Sequence, residues 1–298
     1  MKSTSRRYES TILAHYKEQA QQHGDSSSCT MEDDVVRAKE TKIIQDCVSE
    51  FIRSQMTRHR EDSGYAEGPG HGGRFHIVDL GCGNGTTLQS LIDYDLMPRG
   101  CSLQFTGLEY SPDMRKIAED RFRDVSNVTI VAGDVRSIDK TVVSPADIVI
   151  HQRVLINLLD PADQRTARDC IIDLLTPAGL VIALEGFMSG LDNLNAARDE
   201  FGLDPLQPAH HNMYLPDDFF DSKLLEPWKS EALDVSSEVF STHEFVSRVL
   251  HEAVLRATNA PFKRNSHFVK FFSEALPDGV GSYARVKVVL RRKVIGKP

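Results

Sequence analysis

One stretch limits the possible folds of this chain more than any other: a short apolar run that ends in three closely spaced glycines. Residues 74–80 have the composition of a strand buried in a parallel sheet. Gly81, Gly83 and Gly85 follow with GxGxG spacing, and residues 86–92 have the pattern of the first turns of a helix. Such a strand, turn and helix N-terminus let a ligand lie against bare backbone, although a plain strand-to-helix turn remains an alternative at this point.

The spacing of the glycines separates this turn from a dinucleotide-binding turn. That turn has GxGxxG spacing, and its third glycine allows close packing of the helix. Here Thr86 occupies the position of the third glycine, and Asp79 closes the strand just before the turn. A carboxylate there repels a pyrophosphate and attracts an ammonium group. Both features argue against a nicotinamide-dependent dehydrogenase.

Strands and helices alternate after the glycine turn. Strands are predicted over residues 102–110, 128–132, 146–150 and 180–185, and helices from Ser111-Pro112 onward and over residues 161–175. This alternation predicts an α/β fold, in which a mostly parallel sheet has helices on both faces. The last third departs from the alternation, with predicted helices at 192–201 and 242–256 and predicted strands at 233–240 and 283–294.

The N-terminal part is predicted to be helical over residues 8–22 and 35–52. Residues 58–74 hold five glycines and are predicted to be a flexible connector. We therefore divide the chain into a helical lid (1–57), a glycine-rich connector (58–74) and an α/β domain (75–298) with an insertion at about 187–225.

Acidic residues follow three of the predicted strands. Asp79 and Glu109 end the first and second strands, and Asp134 follows the third. Ligands of open α/β sheets bind in the crevice beyond the C-terminal ends of the strands, so the three carboxylates are expected to face one crevice. Each acid by itself has a simpler explanation as a helix cap or a solvated loop residue, and it is their joint occurrence that indicates a binding site.

The run Val78-Asp79-Leu80-Gly81-Cys82-Gly83-Asn84-Gly85 resembles the first motif of class I methyltransferases that use S-adenosyl-L-methionine, and the resemblance covers about residues 70–190. It implies a Rossmann-like sheet whose last strand runs antiparallel. It also implies roles for individual residues: Glu109 would bind ribose hydroxyls, Asp134 and the Val135 N–H would bind the adenine, and Tyr110 and Met114 would form apolar walls. The remaining implied cofactor residues are Asp79, Gly81, Gly83, Gln152 and Arg153.

Two further segments resemble a subgroup of bacterial methyltransferases that act on small molecules or sugars. They are residues 153–159 and Thr30-Met31-Glu32-Asp33, the latter followed by Arg37 and Glu40. In that subgroup Arg37 is expected to reach from the lid to the carboxylate of the cofactor, a favourable bidentate pairing. A solvated helix face is the alternative for Arg37.

A hydroxyl acceptor needs a base to remove its proton, most often a histidine or a carboxylate. His211 and Glu185 are the predicted catalytic residues, with His211 favoured, and Asn212, Tyr214 and His151 are predicted to contact the acceptor. His210 and His211 are alternatively surface residues of a loop. No metal site is predicted, because adjacent histidines point apart and no spaced third ligand is evident.

These residues together predict a methyltransferase that acts on a small-molecule or sugar acceptor, most simply on a hydroxyl oxygen. An N-methyltransferase and a non-catalytic S-adenosyl-L-methionine-binding subunit are the alternatives. A nucleic-acid methyltransferase is disfavoured, because His151-Gln152-Arg153-Val154 stands where an Asn-Pro-Pro-Tyr motif would follow the fourth strand, and because the formal net charge is −8.

Composition sets the remaining expectations. No apolar run approaches the roughly 20 residues that span a bilayer, and no apolar segment of a signal peptide follows the polar N-terminus. The five cysteines are dispersed without CxxC spacing, as is usual in a reducing compartment. We expect a cytoplasmic monomer or homodimer without membrane or nucleic-acid partners.

Overall fold

The structure is a computed structural model that describes residues 2–26, 33–61, 70, 73–95 and 97–295. Two long helices come first, α1 (Lys2–His23) and α2 (Asp34–Glu61). The second continues into the segment predicted as a connector, which is therefore shorter than expected. Residues 62–69 and 71–72 of that segment lie outside the described residues.

The predicted alternation of strands and helices is confirmed from residue 74 onward. The elements are β1 (Arg74–Leu80), α3 (Thr86–Ile92), β2 (Ser102–Glu109), α4 (Pro112–Arg121), β3 (Val128–Ala132), β4 (Ala146–Gln152), α5 (Pro161–Leu174) and β5 (Leu175–Gly186). Helix α4 begins as the sequence predicts, with the Ser111 hydroxyl accepting a hydrogen bond from the Met114 N–H and Pro112 in the first turn.

The last third is mainly helical and ends in a strand. Its elements are α6 (Met188–Glu200), β6 (Leu225–Pro227), α7 (Ser241–Phe245), α8 (His251–Thr258), α9 (His267–Ala275) and β7 (Val286–Lys293). A π-helical turn, Val246–Leu250, joins α7 directly to α8. The predicted helix at 242–256 is therefore present, with a π-helical turn inside it.

The strands form one seven-stranded sheet in the order β3-β2-β1-β4-β5-β7-β6. The pairs β1–β2, β1–β4, β2–β3 and β4–β5 are parallel, whereas β7 is antiparallel to both β5 and β6. The predicted Rossmann-like sheet with an antiparallel last strand is confirmed. Because β7 runs in the opposite direction, its first residue lies at the same sheet edge as the C-terminal end of β5, where Gly186 is paired with Val286.

Both faces of the sheet are buried, and successive strand residues alternate between two apolar cores. Ile77 packs with α2 and α3, whereas its neighbour Val78 packs with α5 on the opposite face. Two-sided burial explains why the strands have continuous apolar runs. Helix α2 buries Val48 and Phe51 in the first of these cores, so this part of the predicted helical lid covers the sheet.

The strand predicted at 233–240 is wrong. Leu233 and Val235 do pack against the core, which accounts for the alternating pattern of the sequence. The segment lies beside the part of β7 that β6 does not pair with, where the Val288 N–H donates to the Ser237 carbonyl at 3.2 Å, but residues 233–240 form no ladder with it. The sixth strand is the short Leu225–Pro227, which the sequence pattern did not reveal.

Candidate functional site

The glycine turn after β1 adopts a backbone conformation that favours glycine. Gly81, Gly83 and Gly85 have φ angles of 66°, 57° and 82°, in the left-handed region. A Cβ atom on Gly81 would lie 2.6 Å from a methyl group of Val154. The Gly81 N–H donates to the Leu108 carbonyl at 2.7 Å, which holds the turn against the end of β2. The spacing seen in the sequence thus produces an open backbone cradle.

Glu109, at the end of β2, braces this cradle. One carboxylate oxygen accepts a hydrogen bond from the Gly83 N–H at 2.8 Å, and the other accepts from the Ser111 N–H at 2.7 Å. Burial raises the pKa of Glu109, and the hydrogen bonds from Ser111 and Gly83 act in the opposite direction. Each oxygen keeps further acceptor capacity, so the carboxylate can still bind hydroxyl groups.

Asp79, at the end of β1, is almost fully buried, and its Oδ2 atom has no hydrogen-bond partner among the described residues. Burial and the Glu109 charge together raise the pKa of Asp79 to about 8, against the opposing effect of Arg37 of α2. A buried carboxylate with an unsatisfied oxygen is suited to a cationic group, which supplies the missing partner.

The third acid, Asp134, is engaged by a neighbour in sequence. Both of its oxygens accept hydrogen bonds from Arg136 Nε at 3.0 Å, and Oδ1 accepts from the Arg136 N–H at 2.8 Å. Arg136 also bridges to Asp163 at 2.7 Å. Asp134 and Val135 line the same cleft as Glu109, and a carboxylate retains lone pairs beyond those that Arg136 uses.

The end of β4 contributes a strained residue. Arg153 has φ 54°, which is uncommon for a residue with a side chain, and its guanidinium forms an ion pair with the fully buried Glu40 of α2. Burial opposes the charge of Arg153, but Glu40 outweighs it and the pKa of Arg153 is raised. Gln152 donates to the Thr87 hydroxyl at 2.6 Å, which ties β4 to the first turn of α3.

Helix α1, which belongs to the predicted helical lid, contributes residues to one side of the cleft. Tyr16 lies in the cleft, where its hydroxyl accepts a hydrogen bond from Asn157 Nδ2 at 2.6 Å. Burial and the Glu109 charge together raise the pKa of Tyr16 to about 12. Asn84 in the glycine turn donates to the Ser26 carbonyl at 2.9 Å, which holds the end of the helical segment against the turn.

These groups surround one cleft of about 1080 Å³, part of it open to solvent. Nine residues of the predicted site line it: Arg37, Gly81, Gly83, Glu109, Tyr110, Asp134, Val135, Gln152 and Arg153. Asp79 lies behind the turn, within electrostatic reach of Arg37 and Glu109. Sequence reasoning missed the lining residues Ile12, Tyr16, Thr87, Ser111, Arg136 and Asn157.

Met114, which was predicted to form a wall of the cleft, does not line it in this structure. Its side chain is fully buried under α4 and is not among the residues that line the cleft. The first turn of α4, capped by Ser111, directs Met114 into the protein interior. Residues 30–32, which resemble the bacterial subgroup, lie outside the described residues, whereas Asp33 accepts a hydrogen bond from the Val36 N–H at the start of α2.

Glu185 does not have the exposure that a catalytic base needs. Its carboxylate is fully buried and accepts hydrogen bonds from the Val154 N–H at 2.9 Å and from His151 Nδ1 at 2.8 Å. The N–H groups of Leu155 and Ile156 also donate to it. Glu185 therefore caps the turn that follows β4. His151, predicted to contact the acceptor, is equally buried, and neither residue lines the cleft.

The predicted acceptor residues of the insertion lie beside α1. The His211 ring stacks on the His15 ring with a centroid separation of 4.3 Å, next to Tyr16. Burial and the neighbouring His15 and His210 together lower the pKa of His211 to about 4, so His211 is neutral at pH 7. Within the described residues, neither His211 Nδ1 nor Asn212 Oδ1 has a hydrogen-bond partner.

Tyr214 lies further along the same sheet edge. Its ring covers Gly186 at the end of β5, where a Cβ atom would approach the ring to 2.8 Å. Burial raises the pKa of Tyr214, while the nearby Arg285 lowers it. None of His211, Asn212 and Tyr214 is among the residues that line the cleft itself; they continue the edge beyond Tyr16.

The described residues contain no group of three or more histidine, cysteine or acidic side chains arranged to hold a metal ion. Among the helices that the structure describes, none is both long enough and apolar enough to span a bilayer.

Part of the α/β domain matches a known protein family. Residues 77–179, which include the glycine turn and the acids after β1, β2 and β3, match the model of a family described as a methyltransferase domain. No curated protein matches the sequence.

The chain is also similar to several solved structures. DesVI of Streptomyces venezuelae is 23% identical, with 49% of this chain and 49% of DesVI covered and a TM-score of 0.34. The CcbJ methyltransferase of Streptomyces caelestis is 21% identical, with 39% of this chain and 45% of CcbJ covered and a TM-score of 0.34. The N-methyltransferase NodS of Bradyrhizobium japonicum is 17% identical, with 59% of this chain and 74% of NodS covered and a TM-score of 0.37. The match spans about half the length of DesVI and of CcbJ. At these TM-scores the likeness says nothing about the acceptor. The family match shows that residues 77–179, which carry the glycine turn and most of the cleft, are similar to a methyltransferase domain.

Proposed function

We propose that the chain transfers the methyl group of S-adenosyl-L-methionine to a hydroxyl oxygen of a small-molecule acceptor. The observation that carries this proposal is the joining of the glycine turn to Glu109. The Gly83 N–H and the Glu109 carboxylate are hydrogen-bonded at 2.8 Å and line one cleft. This places a bare backbone cradle next to an acceptor of hydroxyl hydrogen bonds.

Features of the cleft fit the cofactor. The unsatisfied Oδ2 of Asp79 suits its ammonium group, and Arg37 suits its carboxylate. Glu109 would hold the ribose hydroxyls, with Asp134, Val135 and Tyr110 around the adenine. When bound, the cofactor supplies an electrophilic methyl group carried on sulfur.

The protein's own contribution is to position the acceptor and to exclude water from the cleft. We propose α1 and the segment that follows it as the lid, because Tyr16 and Asn84 tie them to the turn after β4 and to the glycine turn. His211 Nδ1, buried and without a partner among the described residues, is the proposed acceptor of the hydroxyl proton. Asn212 and Tyr214 would orient the acceptor beside it.

A second candidate, N-methylation, is favoured by one observation. With a pKa of about 4, His211 is a weak base, and Glu185 is committed to backbone hydrogen bonds. An amine that binds in its neutral form needs no base to expose its lone pair. The two candidates differ in the atom that receives the methyl group, so mass spectrometry of the product of an acceptor screen with isotopically labelled cofactor distinguishes them.

Calorimetric titration with S-adenosyl-L-methionine tests the cofactor assignment. We expect micromolar binding that Glu109→Ala weakens tenfold or more, about 1.4 kcal/mol. Glu200→Ala, which removes an exposed carboxylate at the end of α6, is the matched control and should bind as the wild type does. An absence of binding by a folded wild-type protein would refute the proposal. Binding without turnover on any acceptor would instead favour the non-catalytic subunit.

A further inference from the structure

A second polar cluster lies at the same sheet edge, on the side of β5 and β7 opposite to the acids of the cleft. Arg285, which precedes β7, donates to Glu244 of α7 at 2.7 and 3.1 Å. Tyr214 forms a hydrogen bond with Arg285 and covers the end of β5. Arg248, in the π-helical turn after α7, is within electrostatic reach of Tyr214. We call Tyr214, Glu244, Arg248 and Arg285 the arginine cluster.

Arg248 is the member of the arginine cluster whose charge is not paired with a carboxylate among the described residues. Its Nε atom is buried without a hydrogen-bond partner, and no carboxylate of the described residues forms a salt bridge with it. Glu244 forms its ion pair with Arg285. The other nearby acid, Asp33, bonds to His243 at 3.1 Å and to the Val36 N–H.

The direction of the pKa shift of Arg248 agrees with the lack of a paired carboxylate. Burial lowers the pKa of Arg248; the carboxylates of Glu244 and Asp33 oppose the change, and the cations Arg285 and Arg264 add to it. A guanidinium that gives up water without gaining an anionic partner destabilises the folded protein. A bound anion would remove this penalty, and the planar guanidinium suits two-point binding of a carboxylate or a phosphate.

The backbone at Arg248 is itself unusual. Val246–Leu250 form a π-helical turn between two α-helical segments. Such turns insert an extra residue into a helix and are frequent at functional sites. Arg198 of α6 donates a hydrogen bond to the Arg248 carbonyl, so the turn is fixed from a second helix.

The arginine cluster is linked to the cleft through side chains of α1 and of the insertion. Tyr16 lines the cleft, and the neighbouring His15 stacks on His211. The insertion then runs through Asn212 to Tyr214 in the arginine cluster, with the Leu215 N–H donating to the Gly186 carbonyl at 2.8 Å. An acceptor that reaches from the cleft along this edge would meet Arg248 at its far end.

We propose that Arg248 binds an anionic group, a carboxylate or a phosphate, carried by the methyl acceptor. The statement that the ligand is the methyl acceptor rests on the proposed function, whereas the anion site itself does not. The acceptor class is therefore a small acid with a nucleophilic hydroxyl or amine away from its anionic group.

Anion binding is measured first on the protein without cofactor, by calorimetry in low-chloride buffer. The probes are 3-hydroxybenzoate, its neutral analogue 3-hydroxybenzamide, and inorganic phosphate. We expect the wild type to bind 3-hydroxybenzoate or phosphate at least tenfold more tightly than 3-hydroxybenzamide. Preference for one of the two anions identifies the anionic group as a carboxylate or a phosphate.

Three variants separate a specific site from general attraction by positive charge. Arg248→Gln should lose the anion preference, and Arg248→Lys should keep part of it, since the charge remains and the two-point geometry is lost. Lys263→Gln removes an exposed charge from the loop between α8 and α9 and should bind as the wild type does. Thermal unfolding reports the folding of each variant, and Arg248→Gln should be at least as stable as the wild type.

The proposal would be overturned if the wild type bound neither 3-hydroxybenzoate nor phosphate more tightly than 3-hydroxybenzamide, or if Arg248→Gln kept the anion preference unchanged. Failure of the proposed function looks different. In that case the protein shows no heat with S-adenosyl-L-methionine, whereas the anion preference and its loss in Arg248→Gln persist.

Discussion

Tyr16 and Asn157 are 141 residues apart in the chain and 2.6 Å apart in the structure, joined by a hydrogen bond from the Asn157 amide to the Tyr16 hydroxyl. The bond connects α1 to the turn after β4, across the mouth of the cleft. Because Asn157 is the donor, the hydroxyl hydrogen of Tyr16 remains available to a ligand. This contact is the most direct link between the N-terminal helix and the cofactor site.

Removing the Tyr16 hydroxyl should loosen this closure. In Tyr16→Phe the ring remains, but the half-buried Asn157 amide loses its acceptor, at a cost of about 1 kcal/mol. We expect weaker binding of S-adenosyl-L-methionine by calorimetry, by about threefold to thirtyfold. Tyr94→Phe removes the hydrogen bond to Asp46 at 2.8 Å, outside the cleft, and should leave affinity unchanged. If the two variants bound S-adenosyl-L-methionine with equal affinity, the hydrogen bond of Tyr16 would have no part in cofactor binding.

Gly81→Ala should damage the cradle by two effects. The left-handed backbone, with φ 66°, strains a residue with a side chain, and the new Cβ would lie 2.6 Å from Val154. Gly24, with φ 56° and nothing within 4 Å of its would-be Cβ, isolates the first effect. We expect chemical denaturation to show a loss of about 1 kcal/mol in Gly24→Ala and a larger loss in Gly81→Ala.

Val154→Ala provides the reciprocal test of the same contact. Combined with Gly81→Ala it removes the methyl group that the new Cβ would meet, so the double variant should recover part of the lost stability. Strictly additive losses would show that the contact with Val154 is not the cause.

Glu185 illustrates what the sequence predicts well and what it does not. The glycine turn and the acids after the first strands could be predicted because each depends on a few consecutive residues at a strand end. A strand-end acid near a histidine is equally compatible with a catalytic base and with a cap. Only the fold brings the N–H groups of Val154, Leu155 and Ile156 to Glu185, so its role could not be found from local pattern.

The same reasoning applies to the contacts made by the helical segments. Tyr16 lies on a polar amphipathic helix with no local mark of function, and its role depends on how α1 packs on distant elements. The segment 233–240 has the alternation of a strand because its apolar side chains meet the core. Pairing depends on the neighbouring strand, which periodicity does not report.

Glu185→Gln tests the capping role. The amide keeps the volume of the side chain but replaces one acceptor oxygen by a donor, which then faces backbone N–H groups in a buried site. We expect a loss of stability of about 2–4 kcal/mol in denaturant unfolding. If Glu185 were instead a catalytic base, the variant would keep its stability and lose turnover with a changed pH profile.

Asp79 should make cofactor binding depend on pH. Its pKa of about 8, raised by burial and by the Glu109 charge, means that the carboxyl is mostly protonated at pH 6. A bound ammonium group favours the ionised form, so binding releases a proton. Affinity should therefore rise from pH 5.5 to 7.5, by up to about tenfold per unit. Calorimetry in buffers of different ionisation enthalpy measures the released proton.

Asp79 also makes the stability of the protein without cofactor depend on pH. The pKa of Asp79 is 3.8 when unperturbed and about 8 when folded, so the folded state binds the proton more tightly. Its contribution to stability is complete below pH 3.8 and is lost as the pH rises through 8. Asp79→Asn should remove this part of the pH dependence and abolish the proton release. A wild-type protein whose affinity does not change between pH 5.5 and 7.5 would contradict the role of Asp79, because an ionised carboxylate with an ordinary pKa has no proton to release.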